Sequence, residues 1–145
     1  MKTPTLLAED YLDAWSRKDI DAVLSMHTED SVFASPAFGR YAVGRSDVRD
    51  AILAIFALWP DLQFSPIYKY VSDDLIVVES IAKGTQSAVF KIWGLSVHPT
   101  GKPVEFAVAD VFPLENGLIK RKTTYTDALA YIKAMQQTGA RIIQE

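Results

Sequence analysis

Val104-Glu105-Phe106-Ala107-Val108-Ala109-Asp110-Val111-Phe112 alternates as a β-strand does, with one position out of character. Successive side chains on a strand point to opposite faces, so Val104, Phe106, Val108, Asp110 and Phe112 share one side. Asp110 therefore stands in a row of large apolar groups. A carboxylate in that position must find partners or take up a proton, because desolvation disfavours its charged form. Two readings follow: a structural acid that caps a neighbouring element or pairs with a buried cation, or a proton-transfer group in a pocket.

Working outward, the neighbours of this stretch are also β. Leu62–Val71, Leu75–Gln86 and Ala88–Val97 precede it, and Leu118–Thr126 follows a tight turn at Glu115-Asn116-Gly117. Before them the period changes to helical. Thr5–Lys18 carries Leu7, Tyr11, Ala14 and Trp15 on one stripe, so Tyr11 is a core-facing phenol. Asp19 caps a short helix that ends around His27, which reads as structural or as pocket rim. Ser31–Ser35 is a short strand stopped by Pro36, Tyr41–Val43 an edge strand, and Asp47–Leu58 an amphipathic helix ended by Pro60. Asp127 caps a last helix, Ala128–Gln137, before a polar tail.

Helices, then a meander of long strands, then a helix predict an α+β fold. Its antiparallel sheet curves into a cone around the N-terminal helices and encloses an apolar interior. At 145 residues the chain suits one domain, 1–145. A net charge of −3, with no basic run longer than Lys120-Arg121-Lys122, gives no case for nucleic acid or an anionic membrane. The longest apolar stretch, Ala51 to Trp59, is too short to span a bilayer. Met1-Lys2-Thr3-Pro4 leads into an acidic helix instead of a signal sequence, so a cytoplasmic protein is expected. With no cysteine and only His27 and His98 as imidazoles, no metal site and no cofactor are expected.

Aromatic residues exceed what such a core requires, and a flat hydrophobic ligand would fit among Trp15, Phe33, Phe56, Trp59, Phe90, Trp93, Phe106 and Phe112, the alternative for each being plain core filling. Alternation sends Lys122 and Thr123 to opposite faces. If Lys122 is the inward one, it can hold Asp110 ionised and turn an acid into a base. On the other face, Val89, Lys91, Val97, Ala107, Ala109 and Val111 form a patch suited to a homodimer.

Taken together, Tyr11-Leu12-Asp13-Ala14-Trp15, Phe33-Ala34-Ser35-Pro36, Val43-Gly44-Arg45-Ser46-Asp47-Val48, Lys83-Gly84-Thr85-Gln86, Pro99-Thr100-Gly101-Lys102-Pro103, Asp110-Val111-Phe112 and Glu115-Asn116-Gly117 resemble the nuclear transport factor 2-like superfamily, in its SnoaL-like polyketide cyclase and ketosteroid isomerase branch. The resemblance covers nearly the whole chain. It implies that Asp110 holds the position of the cyclases' general acid/base and Tyr11 that of the isomerases' oxyanion-hole tyrosine. Ser35 holds the position of the isomerases' base aspartate, and a hydroxyl is no substitute for that carboxylate. The expected function is an isomerisation, cyclisation or dehydration of a hydrophobic carbonyl compound with Asp110 as proton-transfer group. The alternative is a non-catalytic ligand-binding or dimerisation module. Tyr11 and Asp110 are expected to meet at one polar spot, with Ser35 and Lys122 also facing the ligand.

Overall fold

The computed structural model describes residues 2–145. The described residues form four α-helices: α1 (Pro4–Arg17), α2 (Ile20–Ser25), α3 (Arg45–Leu58) and α4 (Ala128–Gln137). The strands are β1 (His27–Ser35), β2 (Arg40–Val43), β3 (Gln63–Val71), β4 (Leu75–Gly84), β5 (Phe90–Ile92), β6 (Leu95–Val97), β7 (Val104–Glu115), β8 (Leu118–Thr126) and β9 (Ile142–Gln144). Six of them form one curved sheet in the order β2-β1-β8-β7-β4-β3, and β5-β6-β9 form a second, small one.

The helix ends follow local chemistry. The Thr3 side chain accepts from the Leu6 amide at the start of α1, and Asp19 and Asp127 do the same for α2 and α4. α1 ends where Lys18 enters the left-handed region, and its ammonium donates to the Leu62 carbonyl, which ties the helix to the start of β3. The buried stripe of α1 is Leu7, Ala8, Tyr11, Ala14 and Trp15. It packs with Val48 and Ile52 of α3 and with Ile76, Val78 and Phe112 of the sheet. A second cluster gathers Trp59, Ala82, Phe106 and Val108 with Tyr131 and Met135 of α4. Ile55 and Phe64 touch both clusters, and the interior of the cone lies between them. Gly84 permits this closure, since a Cβ there would come within 3.2 Å of the Trp59 ring.

Five expectations change. The large sheet is mixed, because β1 runs parallel to β8 while its other neighbouring pairs are antiparallel. α2 stops at Ser25, so His27 opens β1 and is wholly buried. Ala88–Val97 is a hairpin, not one strand: Trp93 and Gly94 take φ of 49° and 73°, the double positive φ of a tight two-residue turn. The tail returns as β9 on β6. With that hairpin, Val89, Lys91 and Val97 leave the outer face of the large sheet, and Val97 is fully buried. Tyr68, Tyr70 and Tyr125 instead flank Ala107, Ala109 and Val111 there. No helix among the described residues is long and apolar enough to cross a membrane.

Candidate functional site

The inner face of the sheet carries a polar row through apolar surroundings. On β7 burial alternates from Val104 to Phe112, and Asp110 faces inward as its neighbours require. Asp110 pairs with Thr124 on β8, which places Lys122, Thr124 and Thr126 on the inner face. β1 runs alongside, with Phe33 opposite Lys122, so Ser35 lies level with Thr124. β2 adds Arg40 opposite Ser35. The chain turns between them through the short 3-10 helix Pro36–Phe38 and Gly39, whose φ of 63° favours glycine.

The Lys122 ammonium donates to Asp110 Oδ1 at 2.6 Å, and the Thr124 hydroxyl donates to the same oxygen at 2.6 Å. Among the described residues, Oδ2 takes no hydrogen bond. Both side chains of the ion pair are only 5% exposed. Nζ also lies 4.9 Å from the Trp15 ring centre, 5.1 Å from that of Phe112 and 5.5 Å from that of Phe33, so three aromatic faces share its charge. A buried cation and a buried anion of this kind hold each other in place, since neither can lose its partner without being left desolvated.

In front of this pair lies a narrow, partly enclosed cavity. Trp15, Phe33, Trp59, Phe64, Phe90 and Phe106 supply most of its wall, with Ile55, Leu58 and Leu62. The polar wall residues are Ser35, Arg40, Lys122, Thr124 and Thr126. No carboxylate faces it, because Asp110 lies behind Lys122 and Thr124.

Of the residues expected at the ligand, Trp15, Phe33, Ser35, Trp59, Phe90, Phe106 and Lys122 line the cavity. Phe56 stands one layer back and meets Trp15 edge-on at 5.2 Å. Phe112 likewise stands behind the wall. Trp93 occupies the hairpin tip, 68% exposed, away from the interior. Tyr11 does not meet Asp110. Its hydroxyl shares a 2.7 Å hydrogen bond with His27 Nε2, a partner that became available because His27 starts a strand and does not end a helix. Burial pushes the Tyr11 phenol well above its ordinary pKa, so it stays neutral. Burial, with the Lys122 and Arg45 charges, lowers His27 to about 3, so the imidazole is neutral as well. His27 Nδ1 and Trp15 Nε1 are buried without a partner beside this bond.

Arg40 was not singled out from the sequence. It is the first residue of a four-residue strand, too short for alternation to assign its face. Its Nη1 donates to the Ala51 carbonyl at 3.2 Å, it makes no ion pair among the described residues, and burial lowers its pKa. No group of three or more metal-ligating side chains occurs among the described residues.

Three comparisons with known proteins bear on this geometry. The family model described as SnoaL-like domain matches residues 8–122. No curated protein matches the sequence. Among solved structures, a SnoaL-like polyketide cyclase from Agrobacterium tumefaciens has TM-score 0.75 at 22% identity, over 92% of this chain and 98% of that one. An NTF2-like protein from Burkholderia thailandensis has TM-score 0.75 at 21% identity, over 94% and 99%. A protein of ketosteroid isomerase-like fold from Catenulispora acidiphila, in complex with trimethylamine, has TM-score 0.76 at 14% identity, over 93% and 95%.

Proposed function

This chain belongs to the SnoaL-like domain family, and from that premise we propose that it is a small-molecule enzyme acting on a hydrophobic carbonyl compound by acid/base chemistry, with Asp110 as the proton-transfer group and Lys122 as its face to the substrate. The observation that carries the reading is the 2.6 Å ion pair between Lys122, on the wall of an aromatic cavity, and Asp110 behind it. A carbonyl oxygen seated among the rings accepts a hydrogen bond from the ammonium. As a proton leaves the adjacent carbon, that oxygen becomes an enolate and its attraction to the cation grows. The ammonium therefore stabilises the transition state more than the ground state. Because Asp110 does not face the cavity, the departing proton passes to the Thr124 hydroxyl on the wall as that hydroxyl gives its own proton to Asp110 Oδ1. Returning it to another carbon isomerises the substrate. Attack of the enolate on a second carbonyl, whose oxygen takes that proton, closes a ring, and a β-hydroxyl that takes it instead leaves as water.

The trimethylamine complex of the Catenulispora neighbour supports a small molecule as the occupant of such a cone. The reading also includes a homodimer through the outer sheet face, where Tyr68, Tyr70 and Tyr125, each more than half exposed, surround the small residues Ala107 and Ala109.

A second reading, a binding module without turnover, is favoured by one observation: Ser35 supplies no carboxylate to the wall, and no other residue does. Solvent deuterium incorporation separates the two. Wild-type protein in deuterium oxide should exchange the α-hydrogens of flat enolisable ketones, followed by proton NMR. Asp110→Asn should lose about a hundredfold or more of that rate while retaining its circular dichroism spectrum. Ketones that bind without exchange would establish the binding module instead.

A further inference from the structure

Arg40 is the other cation of the cavity, and nothing in the proposed acid/base chemistry uses it. Lys122 is matched by Asp110, so the ion pair adds no net charge to the wall. Arg40 is unmatched: one N–H goes to the Ala51 carbonyl, it makes no ion pair among the described residues, and no carboxylate lines the cavity beside it. A half-buried, partly desolvated cation with unused donors beside an apolar void calls for an anion. The guanidinium is a planar fork whose parallel N–H groups fit the two oxygens of a carboxylate.

The register gives the spacing. Arg40 on β2 is opposite Ser35 on β1, and Ser35 is level with Thr124 on β8, one inward residue beyond Lys122. Two strand spacings therefore separate the Arg40 and Lys122 strands, about 10 Å across the sheet. Between the two cations the wall is aromatic and aliphatic, with the small hydroxyls of Ser35 and Thr124 on its floor. The charge pattern is thus asymmetric: a free cation at one end, an internally neutralised hydrogen-bond donor at the other, and rings between.

The geometry points to a flat hydrophobic carboxylic acid as the ligand, its carboxylate held by the Arg40 fork and a second oxygen at Lys122. This rests on the reading of the cavity as the substrate site, and it adds the charge of the substrate to that reading. A neutral ligand would leave the guanidinium buried without a counter-charge, so discrimination between an acid and its ester measures what Arg40 contributes.

Isothermal titration calorimetry at neutral pH with naphthalene carboxylate and its methyl ester tests this, on wild type and on Arg40→Gln and Arg40→Lys. Wild type should bind the acid about tenfold or more tighter than the ester. Arg40→Gln should bring the two within about twofold, and Arg40→Lys, which keeps the charge and loses the fork, should recover part of the preference. An ester bound as tightly as the acid, or a preference unchanged in a folded Arg40→Gln, would overturn the inference while leaving the carbonyl chemistry at Asp110 standing. Acid preference without any deuterium exchange would do the reverse, upholding the inference and removing the chemistry. If neither form binds, the cavity is not the ligand site, and both fall.

Discussion

Replacing Lys122 with methionine removes the ammonium but keeps an apolar stem of similar length. Asp110 is then left with the Thr124 hydroxyl as its one side-chain partner in a site where it is 5% exposed. At an effective dielectric of about 20, two charges about 4 Å apart attract by about 4 kcal/mol, and three aromatic faces near Nζ add about 0.5–1 kcal/mol each. Desolvation of both ions offsets much of this in the intact protein, but removing one partner leaves the other's desolvation uncompensated. The expected loss for Lys122→Met is about 3–5 kcal/mol. The Asp110→Asn, Lys122→Met double variant has no buried charge, so it should cost less than the sum of the singles by about 2 kcal/mol or more. Urea unfolding followed by tryptophan fluorescence, with Trp15 beside the pair, measures all four proteins. Protein concentration must be held fixed, because a dimer would contribute to stability. Single-variant losses that add to within about 0.5 kcal/mol in the double would refute the reasoning, since the two charges would then not interact.

The buried neutral His27 makes stability depend on pH. Its folded pKa of about 3 lies below the ordinary value of 6.5, so the unfolded chain binds the extra proton between them. The contribution is complete above about pH 6.5 and is lost as pH falls toward 3, by at most about 1.4 kcal/mol per pH unit. Denaturant titrations at pH 7 and pH 5 should show this slope, and a His27→Gln protein should lack it. At the hairpin tip, Trp93 holds a positive φ of 49°, so Trp93→Asn should leave ligand binding unchanged and hold or raise stability by up to about 1 kcal/mol, read from thermal unfolding. For the outer sheet face, sedimentation should give a dimer at about tens of micromolar, and a charge beside Ala109, Tyr125→Asp, should give a monomer of unchanged circular dichroism. A wild-type monomer would remove the dimer.

Much of the fold was legible because long elements carry their own period. The strand Leu118–Thr126 and the helix Ala128–Gln137 have the same limits in sequence and structure, and Asp110 faces inward as alternation requires. What escaped depends on pairing between distant segments. Whether Lys122 or Thr123 faces the cavity is decided by the register of β8 against Asp110 and Phe33, and both residues are buried, so burial alone would not separate them. The Tyr11 partner was misplaced because helix α2 stops at Ser25, two residues before His27, and the sequence has no breaker there. Gly94 did mark the break in Ala88–Val97, but Trp93 disguised it, because a large side chain is rarely found at positive φ. Arg40 on its short edge strand and the three residues of β9 offered too little pattern to read.

A crystal structure with a naphthol bound is the most direct test of the central claim, that Lys122 backed by Asp110 is the polar group offered to a substrate oxygen. The hydroxyl stands in for an enolate. It should lie within about 3 Å of Lys122 Nζ, with its rings against Trp15 and Phe106 and the Asp110 ion pair intact. A naphthol that fills the cavity with its oxygen turned away from Lys122, or that binds elsewhere on the molecule, would contradict the account.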